Sequence, residues 1–136
     1  MAENFVSFLG IAKTGVEKQI VPYATSSNHT CLVGDAASQG SNSRTVNSTV
    51  VVNGFYATSI VTNKDTNISL IIRDINYPSR PIYVIQNISV PIGTSFFLER
   101  SITLTSTQGL FLMMPSGLND VNVQMHASAS CIEINK

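Results

Sequence analysis

The hydrophobic pattern is clearest near the C-terminus. Every odd position from Val121 to Cys131 is apolar, and every even position from Asp120 to Ser130 is polar. A period of two matches a β-strand, whose successive side chains point to opposite faces. On a helix the same residues would spread round the axis. The segment therefore predicts a long strand with one dry face and one wet face. At about 3.3 Å per residue it would reach about 33 Å. At Ile132-Glu133-Ile134 the apolar residues shift to even positions, which predicts a bulge or bend near Cys131.

The rest of the chain carries the same kind of signal in shorter pieces. Residues 1–14 form an N-terminal arm, either a short helical turn or an added edge strand. A first strand begins at Gly15 and takes in Ile20 and Val21, and Pro22 within it argues for an edge position. Ser26-Ser27-Asn28 reads as a turn and His29 to Val33 as a short strand. The stretch Gly34 to Asn47 is small, polar and the longest without a pattern. Such a loop either makes contacts or merely connects. Ser48 to Thr62 is strongly β, with Gly54 marking a bulge or a close backbone approach. It reads as one arm of a hairpin whose other arm is Asn67 to Ile75.

Asn76 to Pro81, with two prolines, reads as a loop. A strand from Ile82 to Ile92 follows, with a break near Asn87. Phe96 to Leu104 continues on the even phase. Leu110 to Met114 is apolar without interruption, as in a strand buried on both faces. About eight or nine strands at regular spacing, with Gly, Pro or Asn between them, predict an all-β antiparallel β-sandwich or jelly roll. Residues 15–136 would form that single domain.

Composition narrows the setting. The chain has 136 residues, 12% of them charged, and a formal net charge of zero. Ordinary soluble domains carry about 25% charged residues. Here Asn, Ser and Thr supply the polar surface, which suits β surfaces and turns. Weak mutual repulsion suits a subunit packed against other subunits. The eight Lys and Arg residues are scattered, so no nucleic-acid footprint is present. No apolar run approaches the roughly 20 residues of a membrane span. Residues 1–14 lack the basic and continuous apolar regions of a signal peptide.

Chemistry is sparse. Cys31 and Cys131 both fall in predicted strands and read as buried thiols, with a disulfide as the alternative. With His29 and His126 they show no metal-ligand spacing. Asp65-Thr66-Asn67 offers too few oxygens for calcium and reads as a turn. His126 lies on the polar phase beside Ser128, with no nucleophile evident. The acidic residues form no close pair on one strand face. Phosphate-loop, nucleophile-elbow and zinc-helix motifs do not occur. Asn28, Asn47, Asn67 and Asn87 head Asn-x-Ser/Thr triplets, which a chain so rich in these residues supplies by chance. No catalytic, cofactor-binding or metal-ligating residue is assigned, and no enzyme activity is expected.

Several segments resemble small virion structural proteins of tailed bacteriophages, of the kind found in cyanophages. They are Ile20 to Ala24, Val50 to Asn63, Ile68 to Asp74, Ile88-Ser89-Val90-Pro91-Ile92-Gly93-Thr94 with Ser95 to Leu98, and Ser130 to Ile134. The shared pattern is a strand, a Val-Pro-x-Gly-Ser/Thr turn, a short strand and a closing strand with a Glu-Ile-like tail. The long loop at 34–47 departs from the more compact members. The resemblance implies a non-enzymatic subunit located in the virion, with itself and other virion proteins as partners. A capsid decoration or cement role is the first expectation. A neck, tail or baseplate subunit is the alternative, as is a receptor- or carbohydrate-binding module. Glycan sites stack sugars on aromatics, but the chain has no Trp, and Tyr23, Tyr56, Tyr77 and Tyr83 are dispersed.

Overall fold

The computed structural model describes residues 2–13, 17–24, 29–32, 41–44, 47–59, 66–91, 94–114 and 124–135. In chain order the strands are β1 (Ala2–Lys13), β2 (Glu17–Val21), β3 (His29–Leu32), β4 (Ser41–Arg44), β5 (Thr49–Ser59) and β6 (Thr66–Asp74). They continue with β7 (Tyr77–Val90), β8 (Ser95–Leu98), β9 (Ile102–Leu104), β10 (Gln108–Met113) and β11 (Gln124–Asn135). No helix occurs among the described residues.

Nine strands build two antiparallel sheets, as the alternation predicts. One runs β1-β11-β5-β8, with β9 also paired to β5; the other runs β2-β10-β6-β7. The remaining pair, β3 and β4, forms a separate two-stranded ribbon. The N-terminal residues take the edge-strand option: Ala2 to Lys13 pair with Asn135 to Gln124 in unbroken register.

The core lies between the sheets. β11 supplies small side chains to it, and its neighbours supply large ones. Ala129 stands between Phe8 of β1 and Phe55 of β5, and all three are buried. Large-small-large rows of this kind let opposing layers interdigitate without voids. Ile20, Ile68, Leu70, Leu110 and Leu112 answer from the second sheet, all fully buried.

Several sequence expectations are corrected. β5 and β6 are not a hairpin, because they lie in different sheets. Alternation shows that each has one dry face but does not say which strand lies beside it. The proline stretch Asn76 to Pro81 is not a loop: from Tyr77 it belongs to β7, an edge strand of its sheet, where a missing N–H costs no ladder bond. Within the polar stretch 34–47, Ser41 to Arg44 form β4; residues 34–40 and 45–46 lie outside the described residues. The same holds for the predicted turn at 26–28, for residues 63–65 of the turn predicted at 63–67, and for the start of the last strand at 120–123; Thr66 and Asn67 of that turn instead open β6.

The phase reversal predicted at Cys131 occurs on the partner strand instead. β11 keeps its odd positions buried through Glu133. Opposite it, Ser130 pairs with Gly54 and Cys131 with Val52, leaving Asn53 as an extra residue. β5 accordingly buries Val50 and Val52 before this bulge, then Phe55 and Ala57 after it. The irregularity expected at Gly54 and the one expected at Cys131 are a single feature seen from two strands. The break near Asn87 is likewise a bulge. Asn87 has φ of 52°, and its N–H donates to Ser69 Oγ at 3.0 Å. β7 pairs irregularly with β6 at three places. Bulges and prolines on an edge strand blunt it against pairing with other chains. Leu110 to Met114 alternates between buried and half-buried positions. The Phe111 ring packs beside Tyr23 at 6.0 Å between centroids.

Candidate functional site

Arg44 is a buried and heavily bonded side chain. It is 1% exposed, although its sequence setting is a run of small polar residues. Nη1 donates to the Pro22 and Gln108 carbonyl oxygens at 2.9 and 2.7 Å. Nη2 donates to the carbonyls of Ser48, Leu104 and Thr105 at 2.8, 3.1 and 2.7 Å. Nε donates to Ser48 Oγ at 3.2 Å. A guanidinium has five N–H donors, so six acceptors saturate it and one bond is shared. Burial pulls it down to about 10, and the nearby Glu133 carboxylate acts the other way. It stays charged at neutral pH. Arg44 thereby ties the β3–β4 ribbon to the end of β2 and to the turn between β9 and β10. The arrangement is a structural clasp.

The other polar clusters also belong to the fold. Arg73 forms a two-pronged ion pair with Glu17 across β6 and β2, one arm at 2.9 Å. This hydrogen bond holds the Arg73 guanidinium above its usual range. Burial pushes the neighbouring Tyr23 phenol up, while the Arg73 charge opposes that. Asp74 accepts from Thr107 Oγ1 at 3.0 Å and from the Asn76 N–H at 2.9 Å, fixing two turns. Cys131 is a buried free thiol, so the disulfide alternative does not hold. The side chains of His29 and Cys31, and all of Asp65, lie outside the described residues. His126 is exposed on β11, opposite Ile11 and Thr58. Among the described residues no three His, Cys, Asp or Glu side chains come together as a metal cluster would require. Asn47, Asn67 and Asn87 are all exposed.

The outer face of the five-stranded sheet carries exposed apolar side chains. Phe5 is 88% exposed and pairs with Ile132, which pairs with Val51. Four residues further along β1, Leu9, Ser128, Tyr56 and Phe97 line up across four strands. Leu9, Tyr56 and Phe97 in this row are exposed. A solvated sheet face ordinarily carries polar side chains. Contiguous exposed apolar residues mark contact sites.

A cleft opens in this face at the β5 bulge. β8 ends at Leu98 and β9 begins at Ile102, and both pair with β5 on the same side. The gap between them faces Asn53 and Gly54. The resulting cleft of about 260 Å³ is bordered by Asn53, Gly54, Tyr56, Phe97, Glu99 and Ser130, with Phe55 and Leu98 beneath. The Tyr56 and Phe97 rings are 6.0 Å apart and tilted by 31°. The sequence shows four dispersed tyrosines. The fold leaves Tyr23, Tyr77 and Tyr83 apart from this site but brings Phe97 to Tyr56, a pairing no local pattern reveals.

No protein family's sequence pattern matches this chain, and no curated protein matches it. Solved structures do. A chain of the T13 infectious bursal disease virus particle matches with a TM-score of 0.52 at 11% identity, covering 98% of this chain and 31% of that one. The Gx strain of the same virus gives 0.50 at 9% identity, covering 98% and 33%. This protein thus spans about a third of the length of those viral chains. The likeness shows a shared β-sandwich fold. The xylan-binding domain CBM22-1 of Paenibacillus barcinonensis Xyn10C aligns at 0.45 and 11% identity, over 99% of this chain and 97% of that domain. That score carries no functional argument.

Proposed function

We propose that the protein is a non-enzymatic structural subunit of a bacteriophage virion, a decoration or cement protein on the capsid surface. It packs against copies of itself and against other virion proteins, the major capsid protein among them. The observation that carries this reading is the apolar end of the outer sheet face, above all Phe5. An aromatic ring 88% exposed on a regular strand is poorly placed for a lone molecule. Covering it removes on the order of 150 Å² of apolar surface from water, about 4 kcal/mol at about 25 cal/mol per Å². Zero net charge leaves little repulsion between copies, and viral particle chains share the sandwich. A fold does not dictate a function, so the face itself is the object to test.

Size-exclusion chromatography with light scattering should show self-association of the intact chain. The double variant Phe5→Ser, Leu9→Ser should weaken it by about tenfold or more, equivalent to at least 1.4 kcal/mol. A strict monomer without affinity for capsids or tails refutes the proposal. Cryo-EM of assembled particles separates the head from the neck, tail or baseplate, where the alternative reading puts the chain.

A further inference from the structure

The cleft at the other end of the same sheet face suggests a second activity, independent of assembly. We propose that it binds a neutral pyranose sugar, one ring of a glycan laid on Phe97 with its hydroxyls bonded to Asn53, Glu99 and Ser130. A pyranose has a C–H-rich face and a polar edge. The cleft offers the counterpart of each. Phe97 is 66% exposed and Tyr56 42%, so both rings have surface available to C–H groups. Their tilt makes a bent platform that suits one puckered ring better than a flat aromatic ligand. Beside them Asn53 both donates and accepts, Ser130 does the same, and Glu99 accepts. This mixture matches a polyol.

Charge and size exclude other ligands. The single ionisable group on the rim besides the Tyr56 phenol is the Glu99 carboxylate. An anionic ligand would meet a like charge with no cation among the lining residues to offset it. The volume of about 260 Å³ falls just below the roughly 300–1,000 Å³ of sites for drug-sized ligands. A peptide strand would need a free ladder along β5, and β8 and β9 already occupy that edge on either side of the gap. The bulge is what makes room. An ideal Cβ built on Gly54 meets no atom within 4 Å, so the space above this residue is open.

That opening supplies the test. A glycan array of neutral oligosaccharides identifies the probe, and the strongest ligand is then titrated into ¹⁵N-labelled protein. The expected amide shifts fall on Asn53, Gly54, Phe97 and Glu99. Phe97→Ala should weaken binding by about tenfold, the loss expected for one stacked ring. Gly54→Leu fills the cleft and should abolish binding while the far-UV spectrum stays that of the parent. The self-association weakened by Phe5→Ser, Leu9→Ser should not change in either cleft variant. The proposal falls if no neutral glycan binds, if the shifts map elsewhere, or if Gly54→Leu binds as well as the parent. It also falls if Phe97→Ala lowers the oligomeric state, because the cleft is then a protein contact.

Discussion

Replacing Arg44 by alanine strips five main-chain oxygens and one hydroxyl of their donor. The acceptors on Pro22, Ser48 and Leu104 are in buried contacts. A buried acceptor left without a partner costs about 1–3 kcal/mol, so these three cost about 3–9 kcal/mol in a site that stays dry. The contacts to Thr105 and Gln108 are only partly buried, which gives water an entry and favours the lower half of that range. Glu133, 3% exposed, loses a nearby cation as well. We expect a loss of about 4 kcal/mol. A chain of 136 residues has a total stability of about 7–20 kcal/mol, so the variant folds but unfolds much earlier in urea. Arg44→Met restores most of the volume and none of the donors, and should cost nearly as much. Arg44→Lys keeps the charge and up to three donors, and should cost about 2 kcal/mol. Equilibrium urea unfolding followed by far-UV circular dichroism, with matching denaturant slopes, measures all three. Stability within about 1 kcal/mol of the parent in Arg44→Ala refutes the clasp. Full recovery by Arg44→Met would show that volume, and not hydrogen bonding, was at work.

Other expectations follow from the same reasoning. At Gly109 a Cβ would lie 2.8 Å from the Val21 carbonyl oxygen and 2.9 Å from Gln19 Nε2. Gly109→Ala forces β2 and β10 apart and should lower stability by about 1–3 kcal/mol in the same urea assay; an unchanged midpoint contradicts it. Burial pushes the Cys131 thiol up to about 12, whereas an unfolded thiol ionises near 8.5. The unfolded chain therefore releases this proton first. The contribution is complete below about pH 8 and is lost as pH rises toward about 12. Urea midpoints should fall between about pH 8 and pH 10.5, more steeply in the parent than in Cys131→Ala. Peptide mapping after thiol labelling should find Cys131 unmodified in the native protein at pH 8. A midpoint that climbs with pH over this range contradicts the assignment.

The sandwich was readable because period-two alternation is a direct consequence of strand geometry, and this chain has little else. Gly54 flagged its bulge, and Pro22 and the β7 prolines fall at or near sheet edges, where a missing N–H is tolerated. Partnership between strands was not readable. β5 resembles a hairpin arm as much as it resembles the neighbour of β11. Burial of charge was hidden for a related reason. Glu133 breaks the apolar pattern, so the phase looked reversed, yet it is buried within reach of the Arg44 charge. Arg44 in turn looked like part of a solvated loop because, apart from Ser48, its acceptors come from two segments distant in sequence, Pro22 and Leu104 to Gln108. The Tyr56–Phe97 pair spans two strands separated by most of the second sheet, and sequence spacing carries no trace of it.

The acceptors of Arg44, apart from one hydroxyl, are main-chain oxygens, and this bears on how such a protein drifts over evolutionary time. A carbonyl survives any substitution that keeps the backbone path. The side chains at positions 22, 104, 105 and 108 can therefore diverge without disturbing the clasp. Among distant descendants the arginine would persist alone, with no co-varying residue to betray its role. A sandwich pinned in this way can keep its shape long after its sequence has become unrecognisable.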